Sequence, residues 1–488
     1  MYNIEKKTLS WIEQHLNILY LIVITLLAFS IRLVGFSFLS GDMTRFLIPW
    51  FNKIRESGLS SRVGDYNLLY QTLIYAMTFI PIPIVWQYKL LSVFFDFALA
   101  VVCGKFCCEL RGEKENDSCF LFVYTAVLFF PTVFLNSGFW GQCDSIYVYF
   151  VILSMYLLYV ERTTISFVML GIAFAFKLQS IFIVPFYLYY YFSKKSFSLF
   201  SFLIVPGVLL LSGFFCYVQG QSILTPIQIY FHQTKEYSES IYMNIHSFFT
   251  VFQQNDQILV QCLVSLGCIL TVSIFGSGLY AVVRKRMDLQ KPNTFITLAA
   301  WCAWVCVLFL PKMHERYTYL LDILLLLSIT LDRKYIPFAF ISESLSLINY
   351  ANYLGGVAIG VESKYLSLLY IGAFIRFSML FVESKSLTTK ELFKAFRKQR
   401  VFFYILLALC AMGAMSLVIF IPQAREMIIA LAEKTVGRPL THEVWHERFI
   451  LCEKTFLIVD IALLLNIIFV LVVNIRSNDI METKNEPS

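Results

Sequence analysis

The chain has 488 residues, 58% of them hydrophobic and only 15% charged, with a mean hydropathy of +0.70 and a formal net charge of +7. A soluble domain carries roughly 25% charged residues, so composition excludes an ordinary soluble fold. The basic residues lie between apolar runs rather than on one soluble face, which argues against a nucleic-acid partner.

The apolar residues fall in long uncharged runs, the pattern of transmembrane helices. Lys6 and Lys7 precede the first run, about Asn17 to Phe36, which no A-x-A cleavage pattern ends, so it reads as an uncleaved signal anchor. With ~20 residues needed to cross, spans are expected at roughly 17–36, 88–108, 119–136, 144–160, 164–178, 179–193, 198–218, 257–283, 295–311, 317–331, 335–353, 364–381, 401–421 and 456–475. The 164–193 region requires a turn near Lys177. The 12 cysteines are scattered, mostly inside apolar runs. Cys103, Cys107 and Cys108 lie close together without a His or a second CxxC, so they read as small apolar residues rather than a zinc site.

Residues Tyr66 to Trp86 decide the topology. They are apolar, but Pro81 and Pro83 end the clean run at about 15 residues, short for crossing. If this stretch lies in the interface and the N-terminus is cytoplasmic, about 22 Lys and Arg fall inside and about 15 outside. The inside set includes Arg111, Lys114, Lys194, Lys195, Arg284 to Arg286, Arg333, Lys334 and the Lys385–Arg400 cluster. If it spans, the count becomes about 13 inside against about 24 outside, contrary to the positive-inside rule. The first arrangement is therefore expected: about fourteen spans, both termini cytoplasmic, and a long first outside loop at 37–87. That loop should hold two interfacial helices. In the first, Leu47, Trp50, Phe51 and Ile54 recur at helical spacing opposite Arg45, Asn52, Lys53 and Arg55. Pro49 suits its first turn and Gly58 its end. The second begins at Asp65-Tyr66.

The outward turns then carry an unusual set of polar groups. The first loop opens on Gly41-Asp42-Met43-Thr44-Arg45. Further on come Asn136-Ser137-Gly138-Phe139-Trp140-Gly141-Gln142-Cys143-Asp144, Lys177-Leu178-Gln179 and Pro311-Lys312-Met313-His314-Glu315-Arg316-Tyr317. Carboxylates, cations, amides and aromatics at the mouth of a helix bundle suit an active site. Transfer of a sugar from a lipid phosphate fits them. The acceptor hydroxyl needs a carboxylate base, for which Asp42 is the candidate. The departing phosphate needs cations or donors, and Lys312 and Arg316, four apart, would share a face on a helix.

Each group has a structural alternative. Asp42 is equally a preferred helix N-cap, and pairing with Arg45 would weaken it as a base. Asp65-Tyr66 fits turn chemistry, Trp140 an interfacial anchor, Lys177 a snorkelling lysine and His314-Glu315-Arg316 a surface turn. Asp96 and Arg376 lie within expected spans, where a charge is functional or part of a buried pair.

The segments G-D-M-T-R-F-L-I-P-W, G-D-Y-N-L-L-Y, Y-K-L-L-S-V-F-F-D, F-W-G-Q-C-D-S-I-Y, K-L-Q-S-I-F-I-V-P and L-P-K-M-H-E-R-Y together resemble the bacterial membrane mannosyltransferase-like proteins related to the enzyme that adds the second mannose of GPI anchors. These belong to the GT-C class of polyprenyl-phosphate-sugar-dependent glycosyltransferases. The resemblance covers about residues 30–355 and rests on the order and shared outside placement of the segments. It implies an all-α polytopic GT-C-type bundle, with a carboxylate base in the first outside loop, carried here onto Asp42. It also implies a polyprenyl-phosphate sugar donor in the membrane lipid, inversion at the anomeric carbon, and no metal or other cofactor. Many members carry a D-x-D or E-D pair in this loop. Here Asp42 follows Gly41 alone, leaving Asp65 as the candidate second carboxylate.

The resulting expectation is a multi-pass enzyme of a bacterial plasma membrane with its site facing outward. Residues 1–355 would form the catalytic module, 356–475 the C-terminal helices where acceptor binding varies, and 476–488 a cytoplasmic tail. Asp42 would be the base. Arg45, Asp65, Tyr66, Trp140, Gln142, Asp144, Lys177, Gln179, Lys312, His314, Glu315 and Arg316 would bind substrate. The acceptor would be a glycan, glycolipid or protein. Mannose comes only from the family label; glucose or galactose fits as well. Two other classes compete: a lipid-linked-saccharide flippase or transporter, with charges at midplane depth, and a polysaccharide polymerase or ligase.

Overall fold

The computed structural model of the chain describes residues 2–113, 117–233, 240–251, 257–284, 286–356 and 360–382. These fall almost wholly in one compact unit, Met1–Leu380. The expected spans at 401–421 and 456–475, the loop between them and the Lys385–Arg400 cluster lie outside the described residues.

The described chain is mostly helical. A short α1 (Tyr2–Gln14) leads into α2 (Leu16–Val34), followed by α3 (Ile48–Ser57), α4 (Leu68–Met77), α5 (Ile84–Arg111), α6 (Asp117–Leu128) and α7 (Pro131–Phe134). Next come α8 (Asp144–Tyr159), α9 (Thr163–Phe176), α10 (Val184–Lys194), α11 (Ile204–Leu211), α12 (Phe214–Val218) and α13 (Thr225–Gln233). The last are α14 (Gln257–Arg284), α15 (Pro292–Phe309), α16 (Tyr319–Leu331), α17 (Ile336–Gly355) and α18 (Ser363–Val382). One small sheet interrupts the helices: β1 (Tyr242–Met243) pairs in parallel with β2 (Met313–His314).

Among the described residues, four helices are long and apolar enough to cross a membrane: Leu16–Ser37, Ile84–Arg111, Leu266–Val283 and Pro292–Phe309. A fifth forms if Ser118–Leu128 and Pro131–Trp140, bent by 54°, are one span. The bend falls where expected chemistry puts it: Phe130 precedes Pro131 and is extended. Several other expected spans map to helices of 10–17 residues. The expected continuous span at 198–218 is instead broken between α11 and α12. The Leu210 carbonyl there accepts the Tyr217 hydroxyl at 2.7 Å, and the Leu209 carbonyl accepts the Ser212 hydroxyl at 2.7 Å, so side chains draw both carbonyls out of a regular ladder.

Helices α3 and α4 are 10 residues each, about 15 Å long at 1.5 Å per residue and too short to cross. Pro49 sits in the first turn of α3 and Gly58, at φ 64°, ends it, as its sequence predicts. Asn67 caps α4 by accepting the Leu68 amide at 2.7 Å. The expected turn at Lys177 is also present: Lys177 is extended (φ −153°, ψ 136°) between α9 and a 3₁₀ turn over Leu178–Ile183.

The core lies where α5, α8, α9, α15 and α16 pack. Asp96, on α5, is fully buried and bonded to the Arg32 Nε of α2 at 2.7 Å. Arg32 also donates to the Leu128 carbonyl at 3.0 Å. The Asp96 charge is thus part of a buried structural pair. Arg376, which the sequence also places within an expected span, is exposed on α18.

A few close contacts set the position of the first loop. The end of α2 passes so close to the segment after α7 that a Cβ on Gly138 would lie 2.9 Å from the Arg32 Cα. Lys89, buried on α5, donates to the carbonyls of Gly35 and Phe38 at 2.6 Å each. The Ser40 hydroxyl donates to the Trp140 carbonyl at 2.8 Å. Together these fasten residues 35–40 across the Trp140 segment just before Asp42.

Candidate active site

Two wide, π-type helical turns flank the site, Met43–Leu47 and Leu135–Trp140. Such turns are rare and cluster at functional sites. The second ends at Gly141 in the left-handed region (φ 76°), a conformation that favours glycine. It turns Gln142 back toward Asp42.

Asp42 is 7% exposed. It precedes a helical turn, but its side chain makes no cap there. Its oxygens face other segments of the chain. Oδ2 accepts from Trp140 Nε1 at 2.9 Å and from Gln142 Nε2 at 2.5 Å. Oδ1 accepts from the Tyr353 hydroxyl, near the end of α17. Arg316 Nη1 lies 3.7 Å from Oδ2. The N-cap alternative is therefore replaced by three hydrogen-bond donors and one neighbouring cation, drawn from three distant segments.

Arg316 joins this carboxylate to a second charged group. Its Nη1 is 3.0 Å from Glu315 Oε1, its Nε is 3.8 Å from Asp144 Oδ2, and its guanidinium lies 5.4 Å from the Trp140 ring centre. Burial works against its charge, but Glu315, Tyr66, Asp42 and Asp144 outweigh this and hold it firmly protonated. Asp144 is fully buried at the start of α8. It pairs with Lys177 Nζ and accepts from Asn136 Nδ2 at 2.9 Å. Lys177 Nζ also lies 5.9 Å and 5.7 Å from the Tyr66 and Tyr147 ring centres. Tyr66 donates to Gln142 Oε1 at 2.8 Å and thereby orients the amide that holds Asp42.

Most of the expected site residues thus converge: Asp42, Tyr66, Trp140, Gln142, Asp144, Lys177, Glu315 and Arg316. Gln179 is buried beside Tyr317. Three expectations need correction. Arg45 is exposed, and among the described residues no ion pair joins it to Asp42; the guanidinium beside Asp42 belongs to Arg316. Asp65 pairs with Arg62 at 3.8 Å, and its carboxylate makes no described bond to the Asp42 cluster; Asp144 and Glu315 are the further carboxylates there. Lys312 and Arg316 do not share a helix face. Met313–His314 is a strand, Lys312 has φ 60°, and the Lys312 amide donates to the Ile241 carbonyl at 2.6 Å. Ile241 and β1 therefore supply the partners that hold Met313–His314 as a strand.

Burial, then the charges of Arg316 and Lys177, pushes His314 down to about 3. It is neutral at pH 7 and offers a hydrogen bond rather than a charge. Burial raises Glu315 against the opposing pull of Arg316.

Sequence reasoning missed Tyr353, Tyr350 and Asn136 as site groups. Asn136 donates to the Tyr350 hydroxyl at 3.1 Å as well as to Asp144. Tyr353 stacks on Trp140, with ring centres 4.6 Å apart and planes 19° apart. The signal for both tyrosines was available: the expected span 335–353 ends on the same face as Asp42. Groups assigned to the other face also meet one another. Arg111 Nη1 donates to the Thr330 carbonyl at 2.9 Å, Lys194 pairs with Asp288 at 2.8 Å, and Gln290 donates to Glu161 at 2.8 Å.

Among the described residues, no three His, Cys, Asp or Glu side chains gather as metal ligands. No protein-family model matches the chain, and no curated protein matches it.

Proposed function

We propose that this protein is a polyprenyl-phosphate-sugar-dependent glycosyltransferase of GT-C type, a multi-pass protein of about fourteen spans whose site faces away from the cytoplasm. The observation that carries the proposal is the Asp42 carboxylate, held by Trp140, Gln142 and Tyr353 with Arg316 alongside. A base must be oriented before it can act, and fixed donors on one oxygen supply that orientation.

In the proposed reaction, Asp42 takes the proton of an acceptor hydroxyl. The acceptor oxygen forms its bond to the anomeric carbon of a hexose on the face opposite the phosphate. The bond from that carbon to the phosphate oxygen breaks, its electron pair goes to the phosphate, and configuration inverts. Arg316 and Lys177 neutralise the charge that develops there. Both are shared with carboxylates before substrate arrives, so the phosphate must compete for them. His314 would add a neutral hydrogen bond and Lys312 a cation at the rim. The trans-membrane apolar surface of the bundle suits a lipid-linked donor, and the acceptor is a hydroxyl of a glycan, glycolipid or protein.

A second reading, transport of a lipid-linked saccharide, draws on buried charges away from this cluster. Asp322 on α16 accepts from Ser342 at 2.6 Å and Ser346 at 2.8 Å, and Glu343 on α17 accepts from the Thr132 amide and hydroxyl at 3.0 Å each. Glu343 stands ten residues before Tyr353, about 15 Å along the helix. Intramembrane carboxylates of this kind mark ion paths in transporters. One assay separates the classes. Membranes are incubated with a labelled panel of polyprenyl-phosphate sugars, and label is followed into lipid, polymer and protein fractions. A transferase creates a new glycosidic bond. A flippase moves labelled lipid across the bilayer and creates none.

A further inference from the structure

The two oxygens of Asp42 are held differently. Oδ2 has Trp140 Nε1, Gln142 Nε2 and, at 3.7 Å, Arg316 Nη1. Those holders are themselves fixed: the Trp140 carbonyl accepts Ser40, Gln142 Oε1 accepts Tyr66, and Trp140 and Gln142 are both buried. The bond described for Oδ1 comes from the Tyr353 hydroxyl. That donor is of the same chemical kind as the group a base must meet, an O–H at hydrogen-bond reach.

Tyr353 also sits differently from the other holders. It is half-buried in the last turn of α17, next to the exposed Ala351 and Asn352. Its ring covers one face of Trp140, and its hydroxyl lies over exposed Gly41, where even an added Cβ would be 3.8 Å away. A rotation of this one side chain toward solvent would free Oδ1 and uncover the Trp140 face without disturbing the donors on Oδ2. Flat aromatic faces are suited to packing against the C–H face of a sugar ring.

We propose that Tyr353 is an acceptor gate: its phenol occupies the place at Oδ1 that the acceptor hydroxyl takes, and the acceptor binds by displacing it. This rests on Asp42 serving as the acceptor's base. Tyr353 is then a positioning and selectivity residue that competes with the acceptor. Any alcohol that binds must offset the loss of the phenol–carboxylate hydrogen bond, so poor acceptors, water among them, are held away from the base.

The test uses the full chain in lipid nanodiscs, with Tyr353→Phe, which keeps the ring on Trp140 and removes only the hydroxyl. Methyl mannoside, glucoside and galactoside serve as acceptor probes. Loss of one hydrogen bond to a charged group corresponds to roughly tenfold or more in binding. The acceptor KM should therefore fall about tenfold, by a larger factor than any fall in kcat, and hydrolysis of the donor by water should rise relative to transfer. An unchanged KM with a lower kcat would show that Tyr353 orients Asp42 instead, and would overturn the gate. If Tyr353→Phe does not accumulate as folded protein, Tyr353→Leu is used with the same readouts. If the wild-type chain transfers no sugar from any donor, the transferase assignment fails by itself. The gate is then judged from equilibrium binding of the same methyl hexosides, read by tryptophan fluorescence. Binding about tenfold tighter in the variant upholds it, and equal binding overturns it.

Discussion

Replacing Lys177 by Met tests whether the charged part of the site is a buried, mutually dependent pair. Lys177 pairs with Asp144, and their side chains are 6% and 0% exposed. Removing one partner of a buried pair typically costs about 3–5 kcal/mol, because the other charge is left in a medium that solvates it poorly. Asp144 would retain Asn136 Nδ2 at 2.9 Å and Arg316 Nε at 3.8 Å, so the low end, about 3 kcal/mol, is expected. Adding Asp144→Asn removes the stranded charge and should recover most of the loss, to within about 1 kcal/mol of wild type. The measurement is reversible unfolding of the purified protein in mixed micelles titrated with a denaturing detergent, for wild type, both single variants and the double. A Lys177→Met variant within about 0.5 kcal/mol of wild type would contradict burial of the pair. A double variant as unstable as the single would show that the loss comes from packing rather than from charge.

Three further outcomes are expected. Trp140→Phe keeps an aromatic ring but removes the Nε1 donor to Asp42; the loss of a hydrogen bond to a charged group, about 1.5–3 kcal/mol, should appear mainly in kcat of the transfer assay, and an unaltered kcat would argue against this donor orienting the base. Gly138→Ala brings a Cβ within 2.9 Å of the Arg32 Cα; overpacking of this kind costs about 1–3 kcal/mol, which detergent unfolding should register, while an unchanged stability would mean that the end of α2 and the Trp140 segment can separate freely. Between its ordinary 6.5 and about 3, His314 is protonated in the unfolded chain but not in the folded one, so its contribution lowers stability as pH falls below about 6.5, by up to about 1.4 kcal/mol per unit. Glu315, raised by burial, acts in the opposite direction by taking up a proton in the folded state as pH falls. Melting curves from pH 8 to 5 should therefore lose part of their acid-side decline in His314→Gln.

Much of the fold was readable in the order of apolar runs and charges. Pro49, Gly58 and the turn at Lys177 act through local backbone preference, which a sequence displays directly, and each falls where expected. The demotion of Tyr66–Trp86 also agrees with a helix that stops at Met77. Breaks that depend on side chains were less visible. In α11–α12 the ladder is interrupted by Tyr217 and Ser212, and Met313–His314 is paired as a strand with Tyr242–Met243, far earlier in the chain.

The site shows the same division. Its members could be gathered onto one face by counting spans, but their partners could not be paired. Arg45 is three positions from Asp42 and exposed, whereas Arg316 and Tyr353 reach the carboxylate from far along the chain. Sequence proximity favoured the wrong guanidinium because the bundle, not the local helix, decides which cation is buried. Gly138 and Gly141 were quoted only as part of a loop, yet close backbone approach at one and a left-handed turn at the other set the position of Trp140 and Gln142.

The most direct test of the central claim is Asp42→Asn in the transfer assay. The amide keeps the size of the side chain and removes the base. Membranes containing wild type or variant at matched expression are given the labelled polyprenyl-phosphate sugar panel, and the rate of new glycosidic bond formation is measured. Loss of a general base predicts a fall of about 10²–10⁴-fold in that rate, with folded protein accumulating normally. Full transfer activity in a normally expressed Asp42→Asn protein would contradict the assignment of Asp42 as the base.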